Sequence, residues 1–298
     1  MNWAPTVDIV VPCYNVANIV EKCVNSLLKQ SYSTNSIIIY LVNDGSSDET
    51  GDILESFANH QQIQVIHHKV NKKQSAARNT GINAGTGEVI CFLDSDMVVN
   101  NNWVETHVNI LSDMKIIGVV GDQIPPKEIN SNKLDKYLYD KRRGARQFGE
   151  NTPIRFPYFL FSNASIRRSA LNSIGLFDET FTSYGGEDTE LAIRLWETFP
   201  ISLRFSFDAA CENHGNRTFQ GFCTTMYEYG KTNLLLLLNK YPQYKDELGG
   251  GFIKSIKGYL IFNPIIRIGV NLLDLILSSY WLKRYQVIDS IIRGARES

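Results

Sequence analysis

An α/β fold, with a mostly parallel sheet flanked by helices and a helical C-terminal appendage, is predicted by three observations. Apolar runs of strand length alternate with helix-period segments through about the first hundred residues. Three of those runs end in short polar loops: Pro12 to Asn15, Asn43 to Ser47 and Asp94 to Asp96. After Gly221 the chain turns helical and apolar, with no strand signal left. With 298 residues, 43% of them apolar, the chain suits one large domain over 1–220 and a helical region over 221–298.

The elements follow in order. Val7 to Val11 reads as a strand stopped by Pro12. Val16 to Lys29 places Ile19, Val20, Cys23, Val24, Leu27 and Leu28 at helical spacing. Ile37 to Val42 is a second strand. Asp48 starts a helix over Glu49 to Ala58, with Ile53, Leu54 and Phe57 apolar. Ile63 to Ile66 is a short strand, Gln74 to Ala84 a helix closed by Gly85, and Glu88 to Leu93 the next strand. This alternation implies parallel strands, so the loops after them gather at one sheet edge. In open α/β sheets that edge holds the ligand. Residues 100–155 are less patterned, with a helix expected near Leu134 to Arg143. "GGEDTELAIRLWETF" opens a helix, with acids in its first turn and Leu191, Leu195 and Trp196 on an apolar face.

Composition narrows the function. A net charge of −1 gives no basic field for nucleic acid. The five Cys form no CxxC pair and read as reduced, structural thiols. The N-terminal residues lack the pattern of a signal peptide, and no apolar run reaches the roughly 18 residues a spanning helix needs. The expected location is cytoplasmic, or peripheral at the inner face of the cell membrane.

Three stretches carry chemistry, and each has a plainer alternative. Asp94 and Asp96 end a buried strand, where unpaired charge is costly. One carboxylate can ligate a divalent cation that bridges two phosphate oxygens while the other reaches a ribose hydroxyl. The alternative is a solvated turn. In "YGGEDTELAIRL", two glycines precede Glu187 and Asp188. These acids either aim into a cleft, one as general base, or cap the helix. His214 in "CENHGNRT" is either a structural histidine or the imidazole that completes a metal shell.

These residues carry a family resemblance. "VDIVVPCYN" (7–15), "LVNDGSSDET" (41–50), "QSAARNTGI" (74–82), "GEVICFLDSD" (87–96) and "FDETFTSYGGEDTELAIRLW" (177–196) occur in order. Together the chain resembles a family 2-type glycosyltransferase of the GT-A fold, a Rossmann-like sheet flanked by helices. "GGED" and His214 also resemble the C-terminal catalytic segment of galactosyltransferase and N-acetylgalactosaminyltransferase-like enzymes.

The resemblance implies a nucleotide-sugar donor, most often a UDP-sugar, and a hydroxyl acceptor on a glycan or a lipid-linked molecule. It implies that Pro12, Tyr14 and Asn15 lie against the nucleoside. Asp44 would bond the uracil edge, and Arg78 the base or diphosphate region. Asp94 would face the ribose or sugar, with Ser95 among the donor contacts. Asp96 and His214 would ligate Mn²⁺ or Mg²⁺. It implies inversion at the anomeric carbon, with Asp188 the expected base and Glu187 the acceptor contact.

"GYLIFNPIIRIGVNLLDLILSSYWLKRY" (258–285) is the most apolar part, but Asn263, Pro264, Arg267, Asn271 and Asp274 interrupt it and Lys254, Lys257, Lys283, Arg284, Arg293 and Arg296 flank it. It reads either as an amphipathic element on an anionic membrane surface or as a helical appendage that packs on the catalytic domain or on a second subunit. Two other classes compete for the whole chain. A sugar nucleotidyltransferase would want a Gly-rich basic loop after the first strand, which "PCYNVAN" is not. A non-catalytic nucleotide-sugar-binding or assembly protein would have no need of a base.

Overall fold

The computed structural model describes residues 3–126, 132–277 and 279–298. The expected strands and helices form, with shifted ends. β1 (Val7–Cys13) is followed by α1 (Val20–Leu27), β2 (Ile37–Asn43), α2 (Thr50–Glu55), β3 (Ile63–His67), α3 (Lys73–Ala84) and β4 (Val89–Leu93). Then come β5 (Met97–Val99), α4 (Trp103–Leu111), β6 (Gly118–Ile124), α5 (Lys133–Leu138), β7 (Asn163–Arg167), α6 (Arg168–Ile174), α7 (Glu187–Thr198) and β8 (Leu203–Asn213). α8 (Phe219–Lys231), α9 (Asn233–Lys240), α10 (Ile256–Ile261), α11 (Pro264–Leu277) and α12 (Tyr280–Arg296) complete the chain.

Two of the shifts have clear causes. β1 does not stop at Pro12. Its ladder to β4 ends at Val10, so the N–H that Pro12 lacks breaks no bond on that side, and Pro12 stays in register with Val42 of β2. α1 begins at Val20 because Val16 starts a turn instead: its carbonyl accepts from Ile19 N and Val20 N.

The chain divides into two units. The first comprises Met1–Lys127, Gly144–Thr180 and Glu187–Gly215. It holds an eight-stranded sheet in the order β3-β2-β1-β4-β7-β6-β8-β5. β1 to β4 pair in parallel, as do β6 and β8, while β7 runs antiparallel between β4 and β6 and β5 pairs antiparallel with β8. Ile9, Val11, Ile39, Leu41, Cys91 and Leu93 form the centre of the core with Val20, Val24 and Leu27 of α1 on one face. Burying such side chains contributes about 1.5–3 kcal/mol each. The carboxyl ends of β1, β2 and β4 therefore sit side by side on a rigid base.

The second unit comprises Glu128–Arg143, Phe181–Gly186 and Asn216–Ser298. It is helical among the described residues. α12 packs along α8, where Gly230 and Gly294 allow close approach: a Cβ on Gly230 would stand 2.0 Å from Ile291 O, and one on Gly294 2.0 Å from Tyr227 O. Leu134, Tyr137, Phe222, Tyr280 and Val287 share one apolar cluster, and Leu234, Ile253, Phe262 and Ile292 another.

Candidate active site

The strand ends build the site. Asp94 leaves β4 with its N–H on Ser162 O, and its Oδ1 accepts from Gln74 Nε2 at 3.0 Å and from Arg78 Nη2 at 3.1 Å. Gln74 and Arg78 are i and i+4 on α3, so one helix face serves one carboxylate. Arg78 is only 1% exposed. Its Nη1 donates to Asp188 Oδ1 at 2.5 Å and stands 3.9 Å from Glu187 Oε1. Its guanidinium also lies 5.2 Å over the Phe177 ring. Thus three carboxylates, from β4 and the first turn of α7, converge on one buried cation.

The two acids of α7 differ. Asp188 Oδ2 accepts from Phe161 N at 3.0 Å, so both its oxygens are engaged. Burial raises its pKa, and Arg78 and the Phe161 N–H oppose that rise. Glu187 Oε2 is buried with no hydrogen-bond partner. Burial, then repulsion from Asp188, pushes Glu187 up to about 7. Both carboxyls are thus held above their ordinary range, burial being the largest cause for each.

The donor-side loops are tied to one another. Asp44 N donates to Cys13 O, which holds the ends of β1 and β2 together. Asn15, at φ 52°, accepts on Oδ1 from Ser47 N at 2.8 Å, and its own N–H donates to Ser46 Oγ. Tyr14 is 48% exposed beside it, and Pro12 is half-buried. Asp44 is buried. Its Oδ1 meets His68 Nδ1 at 2.6 Å and Lys72 N at 2.8 Å, and its Oδ2 accepts from Lys73 N at 2.8 Å. It thus uses about three of its four acceptor positions inside the fold. Gly45 needs its φ of +69°, and a Cβ there would lie 2.5 Å from Val70 C. Ser95 is buried beside the Cys13 thiol, which burial pushes up to about 12, so Cys13 is no nucleophile near neutral pH.

Asp96 and His214 adjoin through the backbone, His214 N donating to Asp96 O at 2.9 Å. Gly215 keeps the chain close: a Cβ there would fall 2.6 Å from Asp96 Oδ2. His214 Nε2 is buried without a hydrogen bond, although Glu212 Oε2 is 3.4 Å away. An orphaned imidazole nitrogen beside a carboxylate fits a divalent cation. Among the described residues no cluster of three or more His, Cys, Asp or Glu could hold an ion alone. A pair of protein ligands suits an ion whose remaining positions are filled by phosphate oxygens and water.

So the expected residues fall into three groups: Asp94, Glu187 and Asp188 around Arg78; Asp96 with His214; and Pro12, Tyr14, Asn15, Asp44 and Ser95 on the first strand ends. Sequence reasoning passed over Gln74, His68 and Phe161. Gln74 was within reach, since it sits one helical turn before Arg78. Phe161 contributes only its backbone N–H, which no side-chain pattern signals.

A family model described as Glycosyl transferase family 2 matches residues 8–175. The chain is 31% identical over 219 residues to the pre-mycofactocin glycosyltransferase of Mycobacterium tuberculosis (strain CDC 1551 / Oshkosh), covering 71% of this chain and 43% of that protein. It is 47% identical over 98 residues to the uncharacterized glycosyltransferase EpsJ of Bacillus subtilis (strain 168), covering 33% of this chain and 28% of that one. The chain thus spans less than half the length of either relative. Among solved structures it is similar to the mannosyltransferase PcManGT from Pyrobaculum calidifontis in complex with GDP-Man and Mn²⁺, with TM-score 0.67 and 17% identity over 98% of this chain and 87% of that one. The S. aureus TarS 1–349 complex with UDP-GlcNAc gives TM-score 0.57 and 14% identity over 98% and 91%. At those identities the likeness is one of fold, and the fold is GT-A.

Proposed function

The chain belongs to glycosyl transferase family 2, and from that premise we propose that it moves a sugar from a nucleotide sugar, a UDP-sugar, to a hydroxyl of a glycan or a lipid-linked acceptor, with inversion. The observation that carries the reading is the convergence of Asp94, Glu187 and Asp188 on Arg78 at the carboxyl edge of the sheet. A buried cation under three carboxylates holds them in fixed positions beside a ligand edge, which a solvated turn would not need. Relatives of known structure that hold GDP-Man or UDP-GlcNAc support a nucleotide-sugar donor.

In this reading residues 1–220 bind donor and catalyse, and 221–298 meet a membrane at the inner face of the cell or a second copy of the chain. Pro12, Tyr14, Asn15, Asp44 and Ser95 shape the nucleoside pocket, Asp44 chiefly by fixing the turn into α3. Asp96 and His214 would hold Mn²⁺ or Mg²⁺, which when bound offsets the charge that develops on the diphosphate. The acceptor hydroxyl gives its proton to the Asp188 carboxylate. Its oxygen bonds the anomeric carbon as the bond to phosphate breaks, and that electron pair leaves with the nucleoside diphosphate. Burial raises the pKa of Asp188, and Arg78 opposes that rise. Glu187, which burial pushes up to about 7, contacts the acceptor.

Asp188→Asn tests the reading. Transfer should fall about 10²–10⁴-fold while UDP still binds with Mn²⁺, by turnover and thermal shift on the same sample. Unchanged transfer removes Asp188 as the base.

A further inference from the structure

The second unit has a helix turned inside out. On α11 the polar residues face the protein. Arg267 Nε donates to Asp289 Oδ2 at 2.5 Å, Asn271 Oδ1 accepts from Gln286 Nε2 at 2.9 Å, and Asp274 pairs with buried Lys283. The apolar residues face out: Ile265 and Ile276 are 81% exposed, Leu275 75% and Leu277 63%. On α10, Ile256 and Leu260 are exposed as well, at 82% and 70%. A contiguous apolar face of this kind marks an interaction surface.

The same unit holds two cationic cavities, the larger of which is lined in part by α11. One, of ≈ 690 Å³, is lined by five cations (Lys133, Arg217, Arg267, Lys283, Arg293) and two acids (Asp274, Asp289). A second, of ≈ 440 Å³, shares Lys133 and Lys283 and adds Lys136 and Arg142 against Asp140. Arg293 Nε is buried without a hydrogen bond and shares Asp289 Oδ2, 3.4 Å away, with Arg267. Leu275 lines the larger cavity and is also among the most exposed apolar residues, so the cavity opens beside the apolar face. An excess of positive charge next to exposed aliphatic side chains complements an anionic head joined to a hydrocarbon chain.

We propose that the second unit binds a lipid with a phosphate headgroup, the phosphate in the paired cavities of α5, α8, α11 and α12 and the hydrocarbon against α10 and α11. A second copy of the chain would cover Ile265 and Ile276 equally well, but it gives no reason for the cationic cavities. No helix among the described residues is long and apolar enough to cross a membrane, so the contact is interfacial. This deepens the lipid-linked acceptor of the proposed reaction and in that respect rests on it. Vesicle binding, however, needs neither donor nor turnover, so either reading can fail alone.

The test is co-sedimentation of the full chain with phosphatidylcholine vesicles, plain or doped with phosphatidic acid or phosphatidylglycerol at matched surface charge. Binding should be strongest to phosphatidic acid, whose phosphate is terminal. Lys133→Gln with Lys136→Gln, both on exposed side chains, should weaken that binding about thirtyfold and erase the preference over phosphatidylglycerol. Leu275→Asp should abolish binding to all vesicles. Unchanged thermal midpoints establish that the variants fold. Equal binding to both anionic lipids in the unmodified chain, or none to either, overturns the proposal. So does release of the chain from phosphatidic acid vesicles by inorganic phosphate at submillimolar concentration, which would make the ligand a free phosphate. A dimer in sedimentation velocity that Leu275→Asp disperses, without vesicle binding, overturns it in favour of self-association.

Discussion

Glu187 and Asp188 are adjacent in sequence, yet the fold gives them different partners. Asp188 has Arg78 and the Phe161 N–H, whereas Glu187 Oε2 has none. Glu187 in the folded chain takes its proton at about 7, above its ordinary 4.5. The folded state therefore binds that proton more tightly than the unfolded chain. The resulting stability is fully present below about pH 4.5 and is lost as pH rises through about 7. Glu187→Gln removes that loss. Its thermal midpoint should exceed that of the unmodified chain by roughly 2–4 °C at about pH 8 and match it at about pH 4. A midpoint that is equal or lower at the higher pH contradicts a Glu187 carboxyl for which burial outweighs the attraction of Arg78 3.9 Å away. Arg78 is the counterpart case. Arg78→Ala leaves buried acids without a counter-ion and should cost about 3–5 kcal/mol in urea unfolding, far more than a surface arginine would. The acids themselves were legible in the sequence because they follow an apolar strand and open an amphipathic helix. The deep burial of Arg78 was not, since its partner Asp188 lies 110 residues away and only the fold brings them together.

At the scale of elements, α3 is the part that aims the site. It presents Gln74 and Arg78 to Asp94 while its Gly81 rests on β1. A Cβ on Gly81 would fall 2.6 Å from Val10 Cγ1. Gly81→Ala should thus cost about 1–3 kcal/mol and lower transfer by lifting α3 from the sheet. Loss of stability without loss of transfer would detach α3 from catalysis. β1 to β4 and their helices were legible because their apolar residues repeat at period two or 3.6. β7 was not. Its sequence, "NASIR", is polar enough for a loop, yet all five residues are buried. Asn163 explains this: its Nδ2 donates to Asp122 O and Ala209 O, and its Oδ1 accepts from Trp103 Nε1. Once satisfied, polar groups can be buried at little cost, and they then leave no apolar pattern in the sequence. α11 is the opposite case: its apolar pattern is plain in the sequence, and its apolar side chains are exposed.

For the whole molecule, the family and fold follow from the match over residues 8–175 and from the GT-A neighbours. The proposed mechanism calls for a divalent cation. His214→Ala should weaken Mn²⁺ in a metal titration of UDP binding by about tenfold or more, and an unaltered titration would strike His214 from the ligands. Nucleotide-sugar binding is tested most directly by a thermal-shift panel of nucleotides and nucleotide sugars on the full chain, with and without Mn²⁺. Stabilisation grows with ligand concentration relative to affinity. A rise in midpoint with UDP and one UDP-sugar, seen only when Mn²⁺ is present, is the predicted result, and it names the donor. No rise with any nucleotide, from protein that melts cooperatively, would contradict a nucleotide-sugar transferase built on these residues.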